Sequence, residues 1–378
     1  MNRRKFLAAA TKAATVTATT VGAGASLLPG TAAAATATAA ADELPKRVRK
    51  YLDQALAAGS PSVICGVIQG RRTHVEGAGK AVGGSAPDGR TVFQLGSITK
   101  TLTATALARA VCAGTVRLDA PLTLPARFRI PHKGPRRITL ADLATHTSGL
   151  PSLPPNLLAE ADPLDPYAHY TLDDLAAGLR ETKLSTEPGK VHAYSNLGFG
   201  LLGQALAFDD VDAMLRRQVA APLGLVDTTT TLRPDMASRK AVGHADKKPV
   251  PDWHDRVLSA AGTSMYSTAD DMLRFLNAQL HPRRSRLRAA IELTQKPRFT
   301  VDRYTRLGLG WQLSPLPGGR TMTWHNGGTG GFSTCAAFSR ESGTAVVMMV
   351  NTYSEGTETA ARPVDALTIG LLRELDAA

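Results

Sequence analysis

Strand-like segments cluster near the two ends of this 378-residue chain, and helix-like segments fill its middle, from about Ser97 to Ala290. The strand candidates are β-rich runs bounded by turn residues, at positions 62–69, 73–76, 91–95, 309–313, 321–325, 332–338 and 344–350. A sequential run of antiparallel strands is commonly covered by helices on one or both faces. The pattern therefore predicts an α/β (α+β) protein, with one sheet built from both ends of the chain and a helical region inserted between them.

Two adjacent arginines, Arg3 and Arg4, open the chain before a weakly apolar run that ends at about Leu28. Small residues follow, and ordinary soluble composition starts at Asp42. This pattern is typical of a twin-arginine export signal, so we predict a signal peptide at 1–41 and a secreted or cell-wall-associated mature chain at 42–378. A disordered Ala-rich tail is the alternative. A permanent membrane span fits poorly, because the run is short and rich in Thr.

The formal net charge of +12 comes largely from basic clusters at 127–137 and 283–288, within loop-like sequence. With 5% aromatic residues and no nucleic-acid motif, we interpret these clusters as solvated surface and expect no nucleic-acid partner. Cys65, Cys112 and Cys335 are flanked by apolar or small residues, which indicates buried thiols. No zinc-type spacing, P-loop or dinucleotide fingerprint is present, so we expect no metal and no cofactor.

Ser97 and Lys100 lie where a short strand reaches Gly96 and an Ala/Leu-rich helical run begins. Residues three apart share a helix face, which brings the amine of Lys100 beside the hydroxyl of Ser97. The free N–H groups of a helix N-terminus favour an oxyanion there. These are the parts of an activated serine nucleophile. Taken alone, the stretch also fits a serine that simply caps a helix.

Two further segments offer the groups that a serine hydrolase needs. Tyr194 provides a phenol that can act as acid or base if nearby cations lower its pKa, and Asn196 an amide that can hold Lys100. Tyr194 also fits a half-buried packing role. Residues 324–332 (WHNGGTGGF) leave a nearly bare strand edge, along which a substrate can lie as an added strand. Composition alone also fits a glycine-rich hairpin loop.

The order of these motifs resembles that of a known family. Ser97-x-x-Lys100 and Tyr194-x-Asn196 each occur once in the chain, and a His-x-Gly strand begins at His325. In this order they resemble the penicillin-recognising serine hydrolases, which comprise class C β-lactamases and related serine D-alanyl-D-alanine carboxypeptidases. The likeness extends through residues 146–151 (HTSGLP), 222–225 (PLGL), 308–311 (GLGW) and 325–328 (HNGG), and covers roughly residues 45–375.

The resemblance implies a β-lactamase/transpeptidase-like fold with the active site between a helix-flanked antiparallel sheet (about 42–96 and 300–378) and a helical region (about 97–299). It implies that Ser97 is the acylated nucleophile and that Lys100 and Tyr194 carry its proton. Asn196 would orient Lys100 and the substrate amide. His325 would stand in the place of a family lysine, and the N–H groups of Ser97 and Gly328 would form the oxyanion hole. The resemblance implies no metal and no cofactor.

The strand after His325 departs from the family pattern. Imidazole is largely neutral at pH 7, so His325 supports a Tyr194 phenolate less than a lysine would. Asn326 and Gly328 stand where many relatives carry hydroxyl or small residues that help hold a substrate carboxylate. We expect the substrate to be bound by Asn326, Gly327 and Thr329, with Thr329 or a loop arginine replacing the missing hydroxyls.

The function predicted from these residues is that of an exported serine hydrolase. It would form an acyl-enzyme on Ser97 and cleave D-amino-acid peptides of the cell wall or β-lactams. A carboxylesterase acting on small esters through the same site is one alternative. A non-catalytic protein that binds cell-wall fragments in its cleft is another, from a different functional class.

Overall fold

The structure is a computed structural model that describes residues 33–353 and 362–377, with side chains from residue 43 onward. Residues 1–32 of the expected export signal lie outside the described residues. The helices are α1 (Ala33–Ala57), α2 (Thr99–Cys112), α3 (Leu140–Ala144), α4 (Leu172–Glu181), α5 (Asn196–Leu206), α6 (Val211–Leu215), α7 (Ala221–Leu223), α8 (Pro234–Ala237), α9 (Ala269–Leu280), α10 (Arg288–Thr294) and α11 (Pro363–Asp376). A π-helical segment, Arg216–Ala220, joins α6 to α7.

The strands confirm the prediction that both ends of the chain build one sheet. They are β1 (Ser62–Gln69), β2 (Arg72–Gly79), β3 (Val92–Gln94), β4 (Gly243–Ala245), β5 (Lys248–Val250), β6 (Tyr266–Thr268), β7 (Phe299–Thr300), β8 (Arg306–Leu307), β9 (Gln312–Pro315), β10 (Thr321–Gly328), β11 (Ser333–Ser339) and β12 (Thr344–Val350). An antiparallel sheet has the order β2-β1-β12-β11-β10-β9-β8-β7. The amino-terminal β1 pairs with the carboxy-terminal β12, with Val63 opposite Val350.

Alternation along the strands fills a hydrophobic core on each face of this sheet. On one face, Val63 and Met348 pack with residues of α1 and α11, such as Leu52 and Leu372. On the other face lies a core that includes Ile64 and Met349 from the sheet, Met272 and Phe275 from α9, and Leu102 from α2. Although α9 belongs to the middle of the chain, it therefore packs against the sheet.

Helices α3, α4 and α5 form a separate core with part of α2, which includes Leu143, Leu179, Leu197 and Leu107. Helix α2 is buried along most of its length, because it contributes to this core and to the sheet core as well. Its last residue, Cys112, is exposed, so the expectation of a buried thiol is wrong there and correct for Cys65 and Cys335. No helix within 33–353 or 362–377 has the length and apolar character needed to span a bilayer.

The segment that leads into α2 is held by β3, which pairs with β6 in a separate two-stranded sheet. After β3 the chain turns at Gly96, whose φ of +58° favours glycine, and a 3₁₀ turn over Gly96–Ile98 opens onto α2. A Cβ at Gly96 would lie 2.3 Å from the backbone nitrogen of Gly328. Glycine is therefore required both for the turn and for the close approach of β10.

Candidate active site

Ser97 lies in the 3₁₀ turn before α2, where its side-chain oxygen contacts two of the predicted partners. The hydroxyl of Tyr194 donates to Ser97 Oγ at 2.6 Å, and Lys100 Nζ lies 2.9 Å from the same atom. The helical spacing of Ser97 and Lys100 predicted this second contact. The first joins residues 97 positions apart and depends on the packing of α5 against α2.

Lys100 is fully buried and has three oxygen neighbours. Its Nζ lies 2.7 Å from Asn196 Oδ1 and 2.5 Å from the carbonyl oxygen of Ala261, in addition to Ser97 Oγ. Burial lowers the pKa of Lys100 well below its ordinary value. A neutral amine has two hydrogens and one lone pair. Because the two carbonyl-type oxygens accept the hydrogens, the lone pair is left for the hydroxyl of Ser97.

Sequence reasoning missed the contribution of Ala261. Its carbonyl ends a 3₁₀ turn, Ser259–Ala261, and the following Gly262 has a φ of +90°. A Cβ at Gly262 would lie 2.1 Å from the carbonyl oxygen of Gly96, so glycine allows this turn to approach the Ser97 turn. A backbone acceptor cannot be recognised from side-chain identity. Gly262 was the only residue in the sequence that indicated a close approach of this turn to the Ser97 turn.

The geometry around Tyr194 makes its phenol a proton donor. Burial raises the pKa of Tyr194 to about 12, against the lowering effects of the Ser97 hydrogen bond and the Arg362 charge. The condition attached to the role of Tyr194, a pKa lowered by nearby cations, is therefore not met, because desolvation outweighs the nearby charge. Lys100 Nζ lies 4.7 Å from the centre of the Tyr194 ring.

Local capping explains why Tyr194 and Asn196 flank the start of α5. The hydroxyl of Ser195 accepts the Gly198 N–H at 2.9 Å and donates to the Pro151 carbonyl at 2.6 Å. Asn196 is then the first helical residue, and Tyr194 is the last residue before the cap. The Tyr-x-Asn spacing therefore places both side chains at one helix end, facing α2.

His325 lies on β10 and lines a small cavity together with Tyr194. Its Nδ1 donates to the carbonyl oxygen of Asn326 at 2.6 Å. Burial, followed by the charge of Lys100, lowers the pKa of His325 to about 3. The imidazole is therefore neutral at physiological pH, in agreement with the expectation that it gives little electrostatic support to a phenolate.

The predicted role of Asn326 in substrate binding is not supported by its orientation. Because strand residues alternate, Asn326 points to the face opposite His325, where its Nδ2 donates to Asp365 Oδ2 of α11 at 2.6 Å. Burial raises the pKa of Asp365 to about 6. Thr329 is also turned away from solvent. It is fully buried, and its hydroxyl has no hydrogen-bond partner among the residues that the structure describes.

Backbone contacts bring β10 against the Ser97 turn. A Cβ at Gly327 would lie 2.0 Å from the carbonyl oxygen of Leu95 and 2.9 Å from the backbone nitrogen of Ser97. The backbone of Gly328 is similarly close to Gly96. The two chain segments that carry the predicted oxyanion-hole N–H groups, those of Ser97 and Gly328, are therefore in direct contact.

Two residues near the site had no role assigned from the sequence. Arg362, which precedes α11, donates from Nη1 to the Gly327 carbonyl at 2.9 Å. A Cβ at Gly328 would lie 2.5 Å from the same Nη1 atom. His146 lies under the ring of Tyr194, with the ring centres 4.4 Å apart. His146 belongs to the HTSGLP segment, which provided the only sequence signal for it.

A protein-family model described as Beta-lactamase matches residues 47–369. The chain belongs to the beta-lactamase family. Among curated relatives, the D-alanyl-D-alanine-carboxypeptidase/endopeptidase AmpH of Escherichia coli (strain K12) is 31% identical over 312 residues, covering 77% of this chain and 79% of AmpH. A beta-lactamase of Pseudomonas fluorescens is 28% identical over 302 residues, covering 69% of this chain and 79% of its own length.

Solved structures confirm the fold of this beta-lactamase family member. A beta-lactamase/D-alanine carboxypeptidase from Yersinia pestis, complexed with citrate, gives a TM-score of 0.74 at 24% identity, covering 87% of this chain and 97% of that one. A class C beta-lactamase from Rhodobacter sphaeroides gives a TM-score of 0.74 at 23% identity, covering 88% of this chain and 99% of that one. The predicted β-lactamase/transpeptidase-like fold is therefore confirmed. Membership of the penicillin-recognising serine hydrolases is confirmed by the family model and by the 31% identity to AmpH. The beta-lactamase family relationship identifies the chain as a serine hydrolase and removes the support for a purely binding role.

Proposed function

We propose that this protein is an exported serine hydrolase that forms an acyl-enzyme on Ser97 and cleaves D-amino-acid peptides of the cell wall. One observation carries the chemistry. Ser97 Oγ lies within hydrogen-bond distance of a buried amine whose pKa is lowered and of a phenol whose pKa is raised. A neutral base and a protonated acid therefore converge on one nucleophile.

These contacts support the following proton path. Lys100 Nζ takes the proton of Ser97 as Oγ bonds to the carbonyl carbon of the substrate. The negative charge on the carbonyl oxygen is stabilised by the N–H groups of Ser97 and Gly328. When the C–N bond breaks, the Tyr194 hydroxyl gives its proton to the leaving amine, and the Lys100 ammonium returns a proton to the Tyr194 oxygen. Lys100 is then neutral again. It takes a proton from the water that attacks the acyl carbon and gives it to Ser97 Oγ as the ester bond breaks.

An extended peptide suits the edge of the sheet at this point. Strand β9 pairs with residues 321–324 of β10 and not with the segment from His325 to Gly328. A peptide can therefore add to this edge as a short strand, with its scissile carbonyl beside Ser97. The guanidinium of Arg362 next to Gly328 supplies a cation for a terminal carboxylate, in place of the hydroxyls that the strand lacks.

The substrate class is supported by the relative AmpH, which is described as a D-alanyl-D-alanine-carboxypeptidase/endopeptidase. A β-lactam presents a similar amide and carboxylate, and would acylate the same serine. The test is to incubate the protein with a diacetyl-Lys-D-Ala-D-Ala peptide and with benzylpenicillin, following D-Ala release and intact mass. We expect D-Ala release and a penicilloyl adduct, both absent in Ser97→Ala. If the wild-type protein gives neither, the substrate assignment is wrong.

Carboxylesterase activity is a second candidate, favoured by the lack of a hydroxyl after His325. Asn326 points away from the cleft, and Gly327 and Gly328 have no side chains to bind a carboxylate. Short alkyl esters separate the two proposals better than activated esters, which acylate many serines. Turnover of ethyl butyrate without D-Ala release from the peptide would favour the esterase.

We also propose that residues 1–41 direct twin-arginine export and that residues 42–378 form the mature hydrolase. The support is the Arg3-Arg4 pair ahead of a weakly apolar run. The expected result of replacing both arginines by lysine is retention of the full-length precursor in a bacterial cytoplasm. Unchanged export of the double variant would contradict the twin-arginine route.

A further inference from the structure

His146 takes no part in the proton transfers described above, yet it is buried against Tyr194, which carries one of them. Its ring centre lies 4.4 Å from that of Tyr194 and 4.9 Å from that of Phe199. Its φ is +56°, a value that residues other than glycine rarely adopt. Such backbone strain persists only where the surrounding structure holds it, and it is concentrated at functional sites.

The backbone and the ring of His146 together hold both chain neighbours of Tyr194. The His146 carbonyl accepts the N–H of Ala193 at 2.8 Å, and His146 Nδ1 accepts the N–H of Ser195 at 3.1 Å. The imidazole also covers one side of the Tyr194 ring. His146 therefore restrains the Tyr194 side chain in three ways: through the backbone of Ala193, through the backbone of Ser195 and by packing against the Tyr194 ring.

These contacts require a neutral imidazole with its hydrogen on Nε2. Nδ1 accepts a backbone N–H, so it carries no proton itself. Burial and the charge of Lys100 lower the pKa of His146 well below its ordinary value, which agrees with this assignment. His146 Nε2 and Trp311 Nε1 have no partner within the described part of the chain. Both residues line a cavity of about 20 Å³, enough for one water molecule to accept from them.

Simple packing does not account for this choice of residue. A phenylalanine would cover the Tyr194 ring but would leave the buried N–H of Ser195 without an acceptor, at a cost to stability. An asparagine would accept that N–H and tolerate the positive φ, but it has no ring. Histidine combines the acceptor, the ring and tolerance of this backbone conformation.

We propose that His146 is a positioning residue that holds the Tyr194 hydroxyl in line between Ser97 and the leaving group. The inference rests on the proposed acylation of Ser97 and assigns a further residue to it. This role predicts a dependence on the leaving group of the substrate. His146 affects the step in which Tyr194 protonates the leaving group, and therefore matters most for substrates whose leaving group is a poor one.

The test uses phenyl acetate and p-nitrophenyl acetate, which differ in how much the leaving group needs a proton. The variant is His146→Asn, because asparagine tolerates the positive φ and keeps the acceptor for Ser195. We expect it to slow acylation by phenyl acetate about 10-fold and acylation by p-nitrophenyl acetate less than about 2-fold. His146→Gly, which also loses the acceptor, should show a larger loss of the same kind. His132→Asn, at an exposed histidine, is the matched control.

Tyr194→Phe completes a double-mutant cycle. If His146 acts through Tyr194, then His146→Asn changes the phenyl acetate rate less than about 2-fold in the Tyr194→Phe background. Equal losses with both esters, or a full further loss in that background, would overturn the inference, provided that the melting temperatures match. Failure of the proposed function can be told apart from failure of the His146 inference. In that case a fluorophosphonate would not label Ser97 in the wild-type protein, and both proposals would be wrong.

Discussion

The side-chain oxygen of Asn196 lies 2.7 Å from Lys100 Nζ. Both residues are buried, whereas Ser97 is partly exposed. Together with the Ala261 carbonyl at 2.5 Å, the Asn196 oxygen occupies the two positions to which a neutral amine can donate. This arrangement turns the amine lone pair toward Ser97. Burial lowers the pKa of Lys100, and this orientation then lets a residue that is ordinarily a cation serve as a base toward Ser97.

Lys100→Met should remove the base and leave a side chain of similar length. We expect the rate of Ser97 labelling by a fluorophosphonate to fall about 10²- to 10⁴-fold, the usual range for losing a positioned proton acceptor. In the wild-type protein the rate should rise with pH as Lys100 loses its proton, and level off well below pH 10.5, because burial lowers this pKa. Labelling of Lys100→Met at the wild-type rate would show that another group is the base.

His325 should make the fold sensitive to acid. Its pKa is about 3 in the folded protein and about 6.5 in the unfolded chain, so only the unfolded state gains a proton as the pH falls through this window. The contribution of the neutral His325 to stability is therefore fully present above pH 6.5 and is lost as the pH falls toward 3. In His325→Asn, where the amide can still donate to the Asn326 carbonyl, we expect the loss in unfolding free energy between pH 7 and 4.5 to be smaller by roughly 2–3 kcal/mol. Urea titrations at the two pH values measure this difference, and equal losses would exclude a neutral buried His325.

Gly327→Ala should separate the two halves of the oxyanion hole. The added Cβ would lie 2.0 Å from the Leu95 carbonyl, so β10 must move away from the Ser97 turn. A displacement of about 1 Å at this point should cost about 10²-fold in acylation rate, measured with p-nitrophenyl acetate. Gly370→Ala is the control, because Gly370 lies within the helix α11 and its added Cβ would come no nearer than 3.2 Å to the Tyr51 side chain. Equal rates in the two variants would mean that Gly327 does not set the approach of the strand.

Asn326→Leu should destabilise the protein through Asp365 rather than through the active site. The substitution removes the donor to a buried carboxylate whose other oxygen has no hydrogen-bond partner among the described residues. We expect a loss of about 1–3 kcal/mol in unfolding free energy. The double variant with Asp365→Leu should recover much of this loss, because replacing both partners by apolar groups leaves no unpaired polar atom. A loss in the single variant below about 0.5 kcal/mol would contradict this account.

Several elements of the fold followed directly from local sequence patterns. The β-rich runs at 62–69 and 344–350 coincide with β1 and β12, because their hydrophobic patterns already describe strands buried in the sheet. The predicted strand at 321–325 was too short by three residues. Strand β10 continues to Gly328 because the glycines lie against the Ser97 turn, a contact that strand propensity does not reflect.

The limits of sequence reasoning appear most clearly at Tyr194 and Asn326. Their identity and order marked the site, but the pKa of Tyr194 rises rather than falls because desolvation outweighs the nearby cations. Asn326 is adjacent to His325 in the sequence and still points to the opposite face of the sheet, toward Asp365. Both outcomes depend on burial and on contacts between residues far apart in the chain.

Ser97 and Lys100 are three residues apart on one helix, so their contact is a property of local geometry that the sequence states directly. The carbonyl of Ala261, the two acceptor atoms of His146 and the guanidinium of Arg362 reach the site only when distant segments pack together. Backbone acceptors and desolvation leave no mark in residue identity. The nucleophile could therefore be predicted from the sequence, whereas the protonation states that make it reactive depend on burial in the folded protein.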